Sequence, residues 1–259
     1  MNLRSRICAL VVLAAFLPVV AVAEEEEPPV DPVAKAVTTA NEKLLGWQTK
    51  DAREALEAVK DRADSHAGVA AAMAQVLVQE KKYADAVKQM EAAAKLAPAD
   101  AALQVALGDS YLLLKRTDEA NAAFRRAATL AAEALKENDK DLRALFIQAQ
   151  AQQRLREFDK AAAGFAKVVE ASAGSDVEAL YELGVTNVLR GKWQEAVDAL
   201  TKALEKNKGI AYAYYYRGLA AEKLGRKDLL INDMGRFLAL APNAPEASRA
   251  QAILNAAKR

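Results

Sequence analysis

From Ala67 onward the chain repeats itself. An apolar-x-x-apolar-small pattern is followed twelve residues later by Ala and four further on by a large apolar residue, in blocks that start at Ala67, Ala101, Leu142, Val177 and Ala211. Three of the four spacings are 34 or 35 residues, and the other is 41 because Leu135 to Asp141 intervene. A fixed period of this length signals a repeat architecture, in which each unit buries its apolar face only against its neighbours.

The block itself reads as two amphipathic helices. Position 8 is Ala74, Gly108, Ala149, Gly184 and Gly218, and position 20 is Ala86, Ala120, Ala161, Ala196 and Leu230. Small residues at these two places let two helices approach closely. Position 24 (Met90, Phe124, Phe165, Leu200, Met234) and position 27 (Ala93, Ala127, Val168, Ala203, Phe237) are an i, i+3 pair facing one way. Breaks such as Arg190-Gly191-Lys192 and Leu224-Gly225-Arg226 separate the helices, and Pro98 and Pro242 close their blocks. With only 11 Gly and 7 Pro, and Ala the commonest residue, composition agrees with an all-α chain.

The segments Leu180 to Leu204 and Tyr214 to Ala247 resemble tetratricopeptide repeats, matching the pattern of large apolar, Leu-Gly, aromatic, Ala, large apolar, Ala, Pro at several positions in every block. Gln148 and Arg217 stand where Leu is usual, Gln152 and Asn187 where Tyr is usual. The resemblance implies a right-handed α-solenoid of helix-turn-helix repeats (67–100, 101–134, 142–175, 177–210 and 211–244) whose first helices line a concave face with positions 2, 5, 9 and 12. On that face Phe146, Tyr181 and Tyr215 form a candidate aromatic ladder, widened by Tyr212 and Tyr216, since aromatics are the usual interface anchors. Arg143, Gln150, Gln153, Glu178, Asn187 and Glu222 stand beside it to orient a bound backbone or a charged side chain. Alternatively, the rings only pack the array. Helices packed ~8–10 Å apart match about three residues of extended chain, so a ligand filling the ladder carries bulky apolar residues about three apart. The family's clamp for a C-terminal carboxylate needs Lys and Asn at positions 5 and 9 of one repeat, and no block has that pair.

Outside the five blocks, residues 33–66 fit the same register with Ala40, Ala52, Leu56 and Val59 at positions 8, 20, 24 and 27, as a degenerate repeat or an N-terminal cap. Pro245-Glu246 opens a C-terminal capping helix over 245–259, because a terminal repeat must hide one apolar face. The insertion Leu135 to Asp141 is expected to lengthen a helix by nearly two turns as a charged extension. Trp193, at the position of Tyr83 and Phe158, is expected to wedge the turn between helices; Trp47 lies one place short of that register.

Residues 1–23 read as a secretory signal peptide: Arg4 and Arg6, an apolar run, then Ala21-Val22-Ala23, with cleavage expected after Ala23. The alternative is a retained anchor, but the run is short of ~20 residues and contains Pro18. Losing Arg4 and Arg6 turns the formal charge from +1 to −1, and Cys8, the single Cys, leaves with the same segment. Residues 24–32, four Glu and three Pro among them, read as an extended, solvated linker.

A balance of 36 Lys+Arg against 35 Asp+Glu gives no electrostatic reason for nucleic acid as a partner. Nucleophile, metal-ligand and phosphate-loop signatures are absent. His66 is the single imidazole, in an exposed loop, and Glu195 and Asp198 fall on a solvent face. The sequence therefore predicts no catalytic residues, no metal and no cofactor. What it predicts is a non-enzymatic scaffold or adaptor, periplasmic or secreted and without stable membrane insertion after cleavage, that binds a protein or peptide in its groove. The competing reading is a self-associating structural array.

Overall fold

One backbone feature recurs at the same place in every block. Position 15 has positive φ: Lys81 (62°), Lys115 (60°), Arg156 (64°), Gly191 (72°) and Gly225 (69°). A left-handed residue ends a helix and turns the chain back on itself, so each block becomes a helical hairpin. The computed structural model describes residues 31–45 and 48–258; the signal-peptide reading, the linker up to residue 30 and Trp47 lie outside them.

Among the described residues there are thirteen α-helices and no strand. The five blocks supply α3 (Ala67–Gln79) with α4 (Tyr83–Leu96), α5 (Ala101–Leu113) with α6 (Thr117–Glu137), and α7 (Leu142–Arg154) with α8 (Phe158–Ala171). They continue with α9 (Val177–Leu189) and α10 (Trp193–Lys206), then α11 (Ala211–Lys223) and α12 (Lys227–Leu240). Each first helix starts on the first residue of its sequence block. Asp100, Asp141 and Asp176 stand just before α5, α7 and α9, and their carboxylates accept backbone N–H bonds from Ala102, Ala144 and Ala179 at 2.9 Å. Consecutive helices pack in order, α3 on α4, α4 on α5 and so on, into the all-helical solenoid that the repeats imply.

Inside each hairpin, position 8 faces position 24. A Cβ placed on Gly184 would lie 2.4 Å from Leu200 Cγ, one on Gly108 2.4 Å from Phe124 Cε1, and one on Gly218 2.8 Å from Met234 Cε. The small residue is thus the seat for the large one on the returning helix. Phe124, Phe165, Leu200 and Met234 are fully buried, as are the position-27 residues Ala93, Ala127, Val168, Ala203 and Phe237.

Both ends of the array are covered. Helix α1 (Pro32–Leu45) starts with Pro32 at its first position, so the linker expected to include Pro32 ends one residue earlier. With α2 (Thr49–Glu57) it packs Ala40, Ala52, Leu56 and Val59 against Val69, Ala72 and Val76 of α3. Arg53 on α2 grips Glu80 through two bonds of 2.7 Å, and Gln79 Nε2 donates to the Leu44 carbonyl at 2.9 Å. The other end is closed by α13 (Ala247–Ala257), which sets Ala250 and Leu254 on the cluster of Tyr215, Met234 and Phe237. Helix α6 runs 21 residues where its counterparts run 14, so the inserted segment lengthens it as expected. Trp193 packs against Ala196, Val197 and Ala220 at the turn. No helix among the described residues is long and apolar enough to cross a membrane.

Candidate protein-interaction groove

The first helices α5, α7 and α9 leave a cavity of about 350 Å³ between them. Its floor is Ala102, Leu142, Phe146 and Ile147, and its rim is Arg143, Gln150, Asp176 and Glu178. Four of the residues expected in the groove therefore meet at one place: Phe146, Arg143, Gln150 and Glu178. Phe146 is half-buried and held edge-on by Phe165 at 5.3 Å, so its ring is fixed before any ligand arrives. Arg143 and Glu178 are exposed, one cation and one anion on facing rims.

Beside the cavity runs a polar chain that crosses three repeats. Arg154 Nε donates to Asp109 Oδ1 at 2.7 Å, and Arg154 also bonds Gln153. Gln153 Nε2 donates to Glu182 at 2.9 Å and to Thr186 Oγ1 at 2.8 Å. Burial pushes the Glu182 carboxyl above its ordinary value, with Arg154, Gln153 and Gln150 pulling it back. The Glu178 carboxyl is raised too, first by the protein walls around it and then by Glu182 and Asp176, against the pull of Arg143. Burial also raises the Tyr181 and Tyr216 hydroxyls, so both are protonated donors at neutral pH.

The aromatic ladder does not form as expected. Tyr215 is 3% exposed and packs on Phe237 with centroids 5.0 Å apart, because α13 covers this end and turns the ring into core. Tyr212 is bound by Glu246 at the start of that cap and also packs on Phe237. Tyr181 and Tyr216 remain half-buried, edge-on at 6.5 Å, and belong to this tyrosine cluster; Phe146 belongs to the α5–α7–α9 cavity with Phe165. Two polar residues expected to meet a ligand are spoken for: Gln153 by Glu182 and Thr186, and Asn187, buried, by Arg190 at 2.9 Å. Glu222 is exposed. Asp109, Arg154 and Glu182 were not legible as site residues; only Glu182, a charge between Tyr181 and Leu183 on a first helix, carried a signal in the sequence. His66 is exposed just ahead of α3, and among the described residues no group of three His, Cys, Asp or Glu could hold a metal ion.

The model of the tetratricopeptide repeat family matches residues 71–134, 148–206 and 181–229. Among solved structures the chain is similar to YrrB, described as a TPR protein with an unusual peptide-binding site, at 17% identity over 76% of this chain and 97% of that one, with a TM-score of 0.43. It is also similar to MamA, at 18% identity over 69% of this chain and 96% of that one, with a TM-score of 0.39. No curated protein sequence matches it. Since the family's pattern spans more than half of its residues in consecutive helical hairpins, the chain belongs to the tetratricopeptide repeat family.

Proposed function

We propose that this chain is an exported, non-enzymatic scaffold of the bacterial envelope, and that it takes an extended segment of a partner protein in the groove formed by α5, α7 and α9. A tetratricopeptide array is in general a protein-protein interaction scaffold, and the site decides what it binds. The observation that carries the reading is the cavity of about 350 Å³, with a ring braced at its floor and opposite charges on its rims. Phe146 receives one bulky apolar side chain, Gln150 bonds the backbone beside it, and Arg143 and Glu178 fix the direction of the segment. The broken ladder reduces the expected row of anchors to one central anchor, in keeping with interfaces where a few residues carry the energy. Export rests on Arg4, Arg6, the apolar run and Ala21-Val22-Ala23.

The test is crosslinking capture from an envelope fraction with residues 24–259, beside the same chain carrying Phe146→Ala and Gln150→Ala, with circular dichroism confirming that both fold. Truncating a true anchor costs ~2 kcal/mol or more, so a partner held by the wild type is lost by the variant. Equal capture by both overturns the groove reading. Export has its own check: the N-terminal residue of the protein recovered from cells is Glu24 if the signal is cleaved, and recovery from the cytoplasm with Met1 intact contradicts it.

A further inference from the structure

Arg217 occupies position 7 of its block, where the sister blocks have Met73, Leu107, Gln148 and Leu183. Its partner Asp233 occupies position 23, where they have Gln89, Ala123, Gly164 and Ala199. The two form a bidentate pair, Nε to Oδ2 and Nη2 to Oδ1, both at 2.8 Å. The Asp233 side chain is fully buried and that of Arg217 is 12% exposed. Withdrawing such a pair from water gains nothing over well-packed apolar residues, and the sister blocks show that the hairpin closes without it. Packing therefore gives no reason for it.

What the pair does is hold Arg217 across to α10, where its Nη1 donates to Thr201 Oγ1 at 3.0 Å. Both groups line an open cavity of about 290 Å³ between α10, α11 and α12, on the second-helix side of the last two repeats and away from the α5–α7–α9 groove. Lys208 and Arg236 stand on its walls, exposed, and neither side chain has an ion-pair or hydrogen-bond partner among the described residues. Glu205 is the one carboxylate on the wall, since Asp233 lies buried behind Arg217. Thr201 accepts from Arg217, which leaves its own proton to donate outward, and Asn232 adds an amide. The wall is rich in donors and holds two unpaired cations against one anion. An anionic oxygen ligand fits it.

We propose that this cavity is a docking site for an acidic peptide segment of a partner protein, whose carboxylates pair with Lys208 and Arg236 while Thr201 and Asn232 donate to the same oxygens. The site stands apart from the proposed groove and does not depend on it. Arg217 and Asp233 are positioning residues: the pair holds the Arg217 guanidinium against Thr201, which fixes the hydroxyl that donates to the carboxylates. The open mouth suits a side chain delivered by a chain outside, and the family's role as a protein scaffold supplies such a chain.

The test uses residues 32–259, a compact unit with its own core, which leaves out the chain's Glu24 to Glu27 run as a competitor. A fluorescein-labelled tetraglutamate peptide is titrated by anisotropy, beside a tetraglutamine peptide and inorganic phosphate. Binding of the tetraglutamate peptide alone is expected, weakened about tenfold or more by Lys208→Gln with Arg236→Gln and by added salt. Lys88→Gln with Lys95→Gln removes the same charge from α4, outside both proposed sites, and is expected to leave binding unchanged. Arg217→Leu with Asp233→Ala, the residues of the preceding block, is expected to weaken the peptide while keeping the helical signal. Equal loss with the α4 variant, equal binding of tetraglutamine, or binding of phosphate without the peptide each overturns the proposal.

Discussion

Two glycines of the same repeat architecture are required for different reasons, and substitution separates them. Gly184 has no room: an added Cβ would meet Leu200 Cγ at 2.4 Å. Gly184→Ala therefore forces α9 and α10 apart and is expected to cost about 1–3 kcal/mol by urea denaturation. Gly225 has room, with nothing within 4 Å of an added Cβ, but its φ is +69°. Gly225→Ala is expected to cost ~1 kcal/mol, the left-handed penalty alone. Lys81, Lys115 and Arg156 already bear that penalty at the same position. At Glu182 the effect depends on pH. Its carboxyl is raised above the ordinary 4.5 by burial, so the folded state binds the proton more tightly than the unfolded chain does. Its contribution to stability is then full below pH 4.5 and lost as pH rises through the folded value. Glu182→Gln removes that loss, so the variant is expected to be more stable than the wild type at pH 7.5, with the difference shrinking toward pH 4 in paired denaturation curves.

At the scale of the helical pair, α11 and α12 contain the exception that tests the packing rule. Arg217 and Asp233 replace the Leu183 and Ala199 of the preceding hairpin. Asp233→Ala alone leaves Arg217 uncompensated between helices and is expected to cost about 3 kcal/mol. Arg217→Leu with Asp233→Ala together is expected to leave stability unchanged or raised, since replacing a whole buried pair by packed apolar groups is often neutral or better. A double variant as unstable as Asp233→Ala would show that the pair is structural. The helices themselves were legible because their signals are local: a glycine break at position 15 of the last two blocks, Pro98 and Pro242 at block ends, and a small residue opposite a large one; the left-handed turns at Lys81, Lys115 and Arg156 carry no such residue signal.

For the whole array, the question is what closes its ends. Helix α13 lays Ala250 and Leu254 over Tyr215, Met234 and Phe237, and Glu246 takes up the Tyr212 hydroxyl. Deleting residues 246–259 uncovers that cluster and is expected to drive self-association, read as a mass in light scattering that rises with concentration; a deletion that stays monomeric and keeps its melting temperature would show that the cap is dispensable. Between the ends, repeat-to-repeat ties such as Arg154 to Asp109 and Arg190 to Asp159 at 2.8 Å join residues far apart in sequence. The groove is a property of this assembled row and of no single block.

By itself the sequence determined the helices, their pairing and the period, because each of those follows from residues within one block: the spacing of small and large positions, the caps and the turn. It also pointed to Phe146, Arg143, Gln150 and Glu178, which lie on α7 and α9 at places that face a neighbour. Only the tertiary structure decided which rings stay in reach of a ligand. Tyr215 is core because α13 lies over it, and Phe146 keeps a cavity because three first helices stop short of closing over it. The same holds for Asp109, Arg154 and Glu182, whose partners come from other repeats, and for the cavity beside Lys208 and Arg236, which opens between α10 and the following repeat: both are set by stacking, which no single block records.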